Sequence, residues 1–159
     1  MHRKEKEISD ARILDSLLEQ AVVLRLGMCD QGRPYIVPLN FVYDAPGKRI
    51  FLHCAPQGMK IDMLRANPNV CFEVDEDAEV LTPEDPAKAC GHGMRYRSVI
   101  GFGTARFIED PAEKEAGLRL LTNKHVAGEY SFSAKAVAAT TVIEISIESM
   151  TGKQSGFSE

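Results

Sequence analysis

The chain has 159 residues, with 19 basic and 23 acidic side chains and a formal net charge of −4. This length predicts one domain that can bury a core, and the acidic balance argues against a general binder of nucleic acid or of anionic membranes. The sequence shows neither an apolar leader nor a long apolar run, so we expect no signal peptide and no membrane span.

Four cysteines lie far apart in the sequence, and none forms a Cys-x-x-Cys pair: Cys29, Cys54, Cys71 and Cys90. This spacing favours free thiols in a reducing compartment, and we predict a cytoplasmic protein. Zinc is the alternative, resting on Cys90 with His92 and on His53 with Cys54. Neighbouring ligands are a poor basis for a tetrahedral site, so we predict no metal site.

Taken in order, the chain begins with a charged segment, 1–8, that we expect to be loose. Ser9 is a candidate N-cap for a helix over 9–20, because apolar residues recur there at helical spacing. Alternation of apolar and polar residues predicts strands over 22–28 and 33–43, joined by a tight turn.

Pro38 interrupts the second of these strands. Proline has no backbone N–H, so the strand must be at an edge of the sheet or bulged at that point. Free backbone groups near Pro38, Leu39 and Asn40 would then be available to a ligand, although an ordinary edge proline explains the pattern equally well.

Residues 50–64 predict a short strand, a tight loop and the start of a helix. Gly58 leaves its backbone open to a close approach, and Lys60 places an ammonium group in the first helical turn, where the helix dipole favours a carboxylate. Free N–H groups at a helix start bind anions, so a phosphate would explain this lysine. The alternative is a plain strand–helix turn with a surface lysine.

The second half of the chain predicts three more strands and one more helix. The strands are expected over 69–75, 95–108 and 140–147, and the helix over 110–126 with proline in its first turn. Residues 77–94 predict a long loop with a short helix around 83–89, and 154–159 predicts a tail.

Six mainly antiparallel strands with three peripheral helices predict a mainly β, α+β domain. We interpret the pattern as a small β-barrel with helices at its ends, formed by a single domain over 1–159.

Several motifs in this order resemble the pyridoxamine 5′-phosphate oxidase-like flavoproteins, and within them the nitroimidazole-resistance (nitroimidazole reductase) branch. The likeness extends from about residue 9 to residue 153. It rests on four segments: Gly32-Arg33-Pro34-Tyr35-Ile36-Val37-Pro38-Leu39-Asn40-Phe41, Phe51-Leu52-His53-Cys54-Ala55, Gly58-Met59-Lys60-Ile61-Asp62-Met63-Leu64 and Tyr96-Arg97-Ser98-Val99-Ile100-Gly101-Phe102-Gly103.

The resemblance implies a six-stranded antiparallel split barrel that binds FMN at the interface of a homodimer. The phosphate would meet His53, Cys54, Gly58, Met59 and Lys60. The isoalloxazine edge would lie against the main chain of Pro38, Leu39 and Asn40, and the second subunit would contribute Arg97, Ser98 and Val99.

His53 is the predicted catalytic residue, as a donor toward the flavin phosphate or the substrate. Its alternative is a packed histidine at a strand end. Cys54 beside it is more simply a small buried side chain.

Two departures from the oxidase pattern are visible. The oxidases carry an arginine and a lysine in the phosphate segment, where this chain has Met59 and Lys60. The arginines and aromatic residues that hold pyridoxal phosphate in the oxidases have no match after Ser146. Oxidation of vitamin B6 is therefore disfavoured.

The leading hypothesis is a reductase in which FMN passes electrons from a transiently bound reduced nicotinamide, NAD(P)H, to a small aromatic or nitro-aromatic acceptor. A non-catalytic flavin-binding sensor or accessory protein is a second hypothesis. A third is haem binding, with His53, His92 and His125 as candidate ligands, and a deazaflavin coenzyme is a further alternative to FMN.

Overall fold

The structure is a computed structural model that describes residues 3–157. It contains seven strands, four α-helices and two short 3-10 turns in that part of the chain. In chain order the elements are β1 (Glu7–Ile8), α1 (Ala11–Gln20), β2 (Val23–Asp30), β3 (Arg33–Asp44), β4 (Arg49–Cys54), α2 (Met59–Ala66), β5 (Asn69–Leu81), β6 (Gly93–Ile108), α3 (Pro111–His125), α4 (Ala134–Ala139) and β7 (Thr141–Ser155).

The strands form one antiparallel sheet in the order β1-β7-β4-β3-β2-β5-β6, and a further pairing of β6 with β7 closes it into a barrel. The prediction of a mainly β barrel with peripheral helices is therefore confirmed. The structure adds β1, a two-residue strand that pairs with Gly152 and Lys153 of β7.

The core fills the inside of this barrel with side chains from alternate positions of each strand. Its fully buried large members from the strands are Phe41, Phe72, Leu24, Leu26, Ile50, Leu52, Ile143 and Ile145, and Leu18 of α1 with Ile61 and Leu64 of α2 packs against them. Burial of each such side chain contributes about 1.5–3 kcal/mol relative to an exposed one. A second, smaller cluster under α3 and α4 joins Phe51, Leu118, Leu121, Val137 and Val142.

Helix ends follow the expected capping chemistry with one correction. Asp110 caps α3 by accepting a hydrogen bond from the Glu113 N–H, and proline occupies the first turn as predicted. The N-cap of α1 is Asp10, not Ser9, because the Asp10 carboxylate accepts from the Arg12 N–H at 2.9 Å. The helix accordingly begins at Ala11 instead of residue 9.

The chain was predicted to be loose over 1–8 and to form a tail over 154–159, and both predictions are wrong for the described residues. Ile8 is buried against the barrel, in the segment predicted to be loose, and β7 continues through Gln154 and Ser155, which were assigned to the tail. Each segment finds a long-range partner strand that local periodicity does not show. Residues 1–2 and 158–159 of these two segments lie outside the described part of the chain.

Two further segments differ from the prediction: the loop before β6 and the segment between α3 and β7. The loop predicted over 77–94 is shorter in the structure and spans 82–92, because β5 runs to Leu81 and β6 starts at Gly93. Its short 3-10 turn lies at Ala89–Gly91 and not around 83–89. Helix α4 was not predicted, since six residues are too few to show a period. In the described residues no helix has the length and apolar character needed to cross a membrane.

Candidate functional site

The barrel is split where β3 and β4 separate. The two strands are paired only over four positions, from Phe41 opposite Leu52 to Asp44 opposite Arg49. Before Phe41, residues 33–40 of β3 pair with β2 on one side and have no strand on the other. Backbone N–H and C=O groups along an open edge are ready to pair with another molecule. The split is thus a natural binding edge.

Pro38 lies in this open stretch, opposite Arg25 of β2. The sequence left open whether the strand is at an edge or bulged here, and the structure shows an unbroken register with β2 and an open edge on the other side. The side chains of Pro38 and Asn40 face outwards, whereas Leu39 points towards the barrel and is half-buried. Only main-chain groups of Leu39 can therefore meet a ligand outside the barrel.

His53 and Asn40 occupy the two sides of the split directly after the last pair, Phe41–Leu52. Both side chains are exposed, and both line an open-sided cavity of about 560 Å³. The Asn40 amide donates to the Val22 carbonyl at 3.2 Å, which fixes the orientation of this side chain. The His53 backbone pairs with Val142 of β7, so the imidazole projects from an ordered strand.

The far wall of this cavity comes from the end of α3, from α4 and from the segment between them. It includes Thr122, His125, Val126, Phe132 and Thr140. Sequence reasoning missed this wall, apart from His125 as a haem ligand. The available signal was weak: Ser133 caps α4 by accepting from the Ala136 N–H. Serine before an alanine-rich segment is typical of a helix start.

The predicted phosphate segment forms the start of α2, as the sequence indicated. Gly58 is the N-cap residue with φ 130°, and its carbonyl accepts from the Ile61 N–H at 2.8 Å. A side chain added at Gly58 would meet open space, so the backbone is accessible from that side. Met59 is half-exposed, and Lys60 is partly buried.

Lys60 lies beside Cys54 at the end of β4. Burial raises the pKa of the Cys54 thiol, and the nearby Lys60 ammonium opposes that shift. Because burial prevails, Cys54 is a protonated thiol near neutral pH and not a reactive thiolate. This agrees with its interpretation as a small buried side chain.

The three β6 residues stand apart from this constellation within one chain. Strands β2 and β5 separate β6 from β3 in one direction around the barrel, and β4 and β7 separate them in the other. Arg97 forms an ion pair with Asp77 at 3.7 Å, and its guanidinium lies over the Phe157 ring. Ser98 is partly exposed, but the Val99 side chain is fully buried in the core, so only its backbone is available to a ligand.

The histidines proposed as haem ligands are also separated. His53 and His125 line the same cavity, whereas His92 lies in the loop before β6 with Nε2 3.1 Å from the Pro86 carbonyl. Among residues 3–157, no group of three or more His, Cys, Asp or Glu side chains could hold a metal ion.

The comparisons with known proteins agree with the fold. A family model described as pyridoxamine 5′-phosphate oxidase matches residues 10–154. The chain is 39% identical over 88 residues to an uncharacterized protein of Rhizobium meliloti (strain 1021), covering 55% of this chain and 46% of that protein. The match thus spans about half the length of this curated relative.

Two solved structures resemble the whole barrel. A candidate 5-nitroimidazole antibiotic resistance protein from Bacteroides thetaiotaomicron is 32% identical, with a TM-score of 0.82 over 93% of this chain and 86% of that one. A FAD and haem binding protein from Mycobacterium smegmatis is 22% identical, with a TM-score of 0.82 over 97% of this chain and 76% of that one. At 22% identity, the second likeness shows the fold alone.

Proposed function

The chain belongs to the pyridoxamine 5′-phosphate oxidase family, and from this premise we propose that it is an FMN-dependent reductase of small aromatic or nitro-aromatic acceptors. The observation that carries the proposal is the open edge of β3 at 33–40, which begins at Asn40 in the same cavity as His53 of β4. Helix α2 starts at Met59, five residues after β4 ends at Cys54. An open edge offers main-chain hydrogen bonds to a planar ring, and a helix start beside it offers N–H groups to a phosphate.

The residues present fit both the planar ring and the phosphate of FMN. Main-chain groups of Pro38, Leu39 and Asn40 would hold the isoalloxazine edge. The exposed backbone at Gly58 and Met59, with the Lys60 ammonium, would hold the phosphate, and Cys54 would pack behind Lys60. A phosphate in this position accounts for a lysine in the first turn of α2. When bound, the flavin would supply the electron transfer.

His53 is the proposed catalytic residue in this arrangement. Its imidazole projects into the cavity beside the open edge, where it can donate a hydrogen bond or a proton to an acceptor. The walls of the cavity keep water away from one side of that acceptor. Electrons would come from NAD(P)H bound transiently, since the sequence contains no dinucleotide-binding glycine motif after a strand.

An aromatic or nitro-aromatic acceptor is a better candidate than a vitamin B6 compound. No arginine follows Arg119 in the sequence, so the chain lacks the C-terminal arginines expected for a pyridoxal phosphate site. The cavity is lined by apolar and neutral polar side chains together with imidazoles. The 32% identity to the candidate 5-nitroimidazole antibiotic resistance protein supports a link to nitro-aromatic compounds.

A homodimer is part of the proposal. Large apolar side chains are exposed on the outer face of β3 and β6, where Ile36 is 67% and Phe102 is 55% accessible. The register places both in one row across the sheet, through Gly27 and Cys71. A second copy on this face would cover the row and could bring its own Arg97, Ser98 and Val99 to the flavin.

We also propose a cytoplasmic location. The four cysteines are free thiols in the structure, which suits a reducing compartment.

Haem binding is the second candidate function, favoured by the shared cavity of His53 and His125. In this reading the protein would be a non-catalytic haem or flavin carrier or sensor. Deazaflavin remains the alternative planar cofactor for the open edge.

An absorption spectrum and a titration with FMN test these proposals together. We expect a yellow protein with flavin bands in the near-ultraviolet and blue, and quenching of FMN fluorescence that saturates at one FMN per subunit. An intense Soret band would favour haem. A colourless protein that does not quench FMN fluorescence would reject the flavin site.

A further inference from the structure

The cavity beside His53 has two walls that belong to different parts of the chain. Asn40 and His53 come from the split between β3 and β4, whereas Thr122 and His125 come from the last turn of α3. Leu121 is the last side chain of α3 in the small apolar cluster under this helix. The last turn therefore lies beyond the apolar packing that holds the rest of α3.

Lys124 joins this last turn to the end of α1. Its ammonium donates to the Ala21 carbonyl at 2.6 Å and to the Leu18 carbonyl at 3.4 Å. The last carbonyls of a helix lack partners within the helix and carry the negative end of its dipole, so a cation is favoured there. In the part of the chain that the structure describes, no other side chain of 122–126 donates a hydrogen bond outside α3.

The same ammonium contacts the strand in which the split begins. It lies 3.9 Å from the centre of the buried Phe41 ring, close enough for a cation–π contact. Phe41 forms the last pair between β3 and β4, opposite Leu52, and Asn40 is the first residue of the open edge. Lys124 thus connects the last turn of α3 to the end of α1 and to the start of the open edge.

The segment after α1 is also held from the opposite wall. The Asn40 amide donates to the Val22 carbonyl at 3.2 Å, and Val22 directly follows Ala21, which accepts from Lys124. Two consecutive carbonyls therefore each bind a side chain from a different side of the cavity. Through Ala21 and Val22, the contacts of Lys124 and Asn40 fix the separation of the two walls.

We propose that Lys124 is a positioning residue of the candidate site, which holds the last turn of α3, and with it His125, at a set distance from His53. The proposal rests on the proposed function, in which the cavity between these walls receives the acceptor. A ligand that contacts both walls binds more tightly when the walls are ordered beforehand, because binding then costs less conformational entropy.

The test compares Lys124→Met, which keeps an unbranched side chain and removes its charge, with Lys124→Arg, which retains a cation. Lys114→Met is the matched control, because it makes the same change near the start of the same helix. The Lys114 side chain borders a second cavity, of about 610 Å³ between α3 and α4, and does not line the first. Thermal unfolding verifies that each variant is folded.

Hydrogen exchange with mass spectrometry measures the order of the last turn in the full-length protein without a ligand. At neutral pH we expect Lys124→Met to exchange about tenfold faster over 122–126 than the unaltered protein, because the turn has lost its tertiary hydrogen bonds. Exchange over 112–118 should not change in this variant. Lys124→Arg and Lys114→Met should match the unaltered protein over 122–126. An equal rate there in Lys124→Met and in the unaltered protein would overturn the proposal.

Isothermal titration calorimetry with 4-nitrobenzyl alcohol measures the effect on the site itself. We expect Lys124→Met to bind this probe about fivefold more weakly, and Lys124→Arg to restore most of the affinity. A lysine that only stabilised the helix end would change the exchange rate and not the affinity for the probe. Unchanged affinity in Lys124→Met would therefore overturn the proposal, and so would an unaltered protein that does not bind the probe.

A titration of the same proteins with FMN separates failure of this proposal from failure of the proposed function. The exchange and calorimetric measurements require neither flavin nor turnover. Normal FMN binding, with unchanged exchange and probe affinity in Lys124→Met, would reject only the role of Lys124. Absence of FMN binding in all four proteins would reject the flavin site, whereas faster exchange and weaker probe binding in Lys124→Met would still support the positioning role.

Discussion

At the scale of single residues, Lys60 is the side chain on which the proposed phosphate site depends most. It is the second residue of α2, next to the accessible backbone of Gly58. We expect Lys60→Ala to weaken FMN binding by roughly 1.5–3 kcal/mol, the scale of a charge-assisted hydrogen bond. The measurement is FMN fluorescence quenching at fixed ionic strength.

Lys135→Ala is the matched control for that measurement. Lys135 is also the second residue of a helix, α4, but it is exposed and lines neither of the two cavities. Its removal should leave FMN affinity within experimental error. Equal FMN affinity in Lys60→Ala and in the unaltered protein would show that the FMN phosphate does not bind at the start of α2.

Lys124 makes the stability of the protein depend on pH. Its ammonium donates to the Ala21 carbonyl at 2.6 Å and lies 3.9 Å from the centre of the Phe41 ring. Burial lowers the pKa of Lys124 from 10.5 to about 8, although Glu76 and Glu19 oppose the shift. Between these two values the unfolded chain binds more protons at this position than the native chain does. The free energy of unfolding therefore rises with pH in that window.

The prediction compares the unaltered protein with Lys124→Met. Between pH 8 and pH 10, the stability of the unaltered protein relative to the variant should rise by about 1–2 kcal/mol, a value reduced for the partial exposure of the side chain. Below pH 8 this difference should be flat. Urea unfolding at several pH values measures it, and a constant difference from pH 6 to pH 10 would show that burial does not shift this lysine.

At the scale of elements, a buried carboxylate ties β4, β6 and β7 together. Glu144 on β7 is 5% exposed and accepts from Arg106 of β6 at 3.0 Å and from Arg49 of β4 at 3.3 Å. Arg106 also pairs with Glu113 of α3, and these carboxylates raise its pKa. Glu144 therefore connects three strands and, through Arg106, a helix that forms part of the cavity wall.

Loss of the Glu144 carboxylate should lower the free energy of unfolding more than loss of a surface carboxylate does. We expect Glu144→Ala to lower the free energy of unfolding by about 2–4 kcal/mol, because two arginines lose their buried partner. Glu148→Ala, on the exposed face of the same strand, should cost about 1 kcal/mol or less. Chemical denaturation measures the free energy of unfolding of both variants. Equal decreases in the two variants would mean that the Glu144 network stabilises the protein no more than one surface contact does.

At the scale of the whole molecule, the exposed apolar row on the sheet predicts self-association. We expect the unaltered protein to sediment as a dimer, and Phe102→Glu to shift it towards the monomer because a charge would be buried in the contact. Leu120→Glu places the same charge on α3, away from that row, and should leave the dimer intact. An unaltered protein that sediments as a monomer and still binds FMN tightly would contradict the interface.

Local chemistry allowed much of this fold to be predicted. Alternating apolar residues gave most of the strands, and capping residues such as Asp110 with Pro111 gave α3. The strand–loop–helix segment over 50–64 was predicted in place, because glycine, proline and helical spacing act within a few residues of each other. Pro38 indicated an edge position or a bulge for the same reason: the missing N–H belongs to the residue itself, and the structure shows the open edge.

The sequence by itself determined the strand pattern, the candidate phosphate segment and the family resemblance, since all three depend on neighbouring residues. Only the tertiary structure decided that β3 is open along 33–40, that His53 shares a cavity with His125 and Phe132, and that β7 continues to Ser155. Each of these features depends on contacts between residues far apart in the chain. Such contacts form when the whole barrel closes, and no local period encodes them.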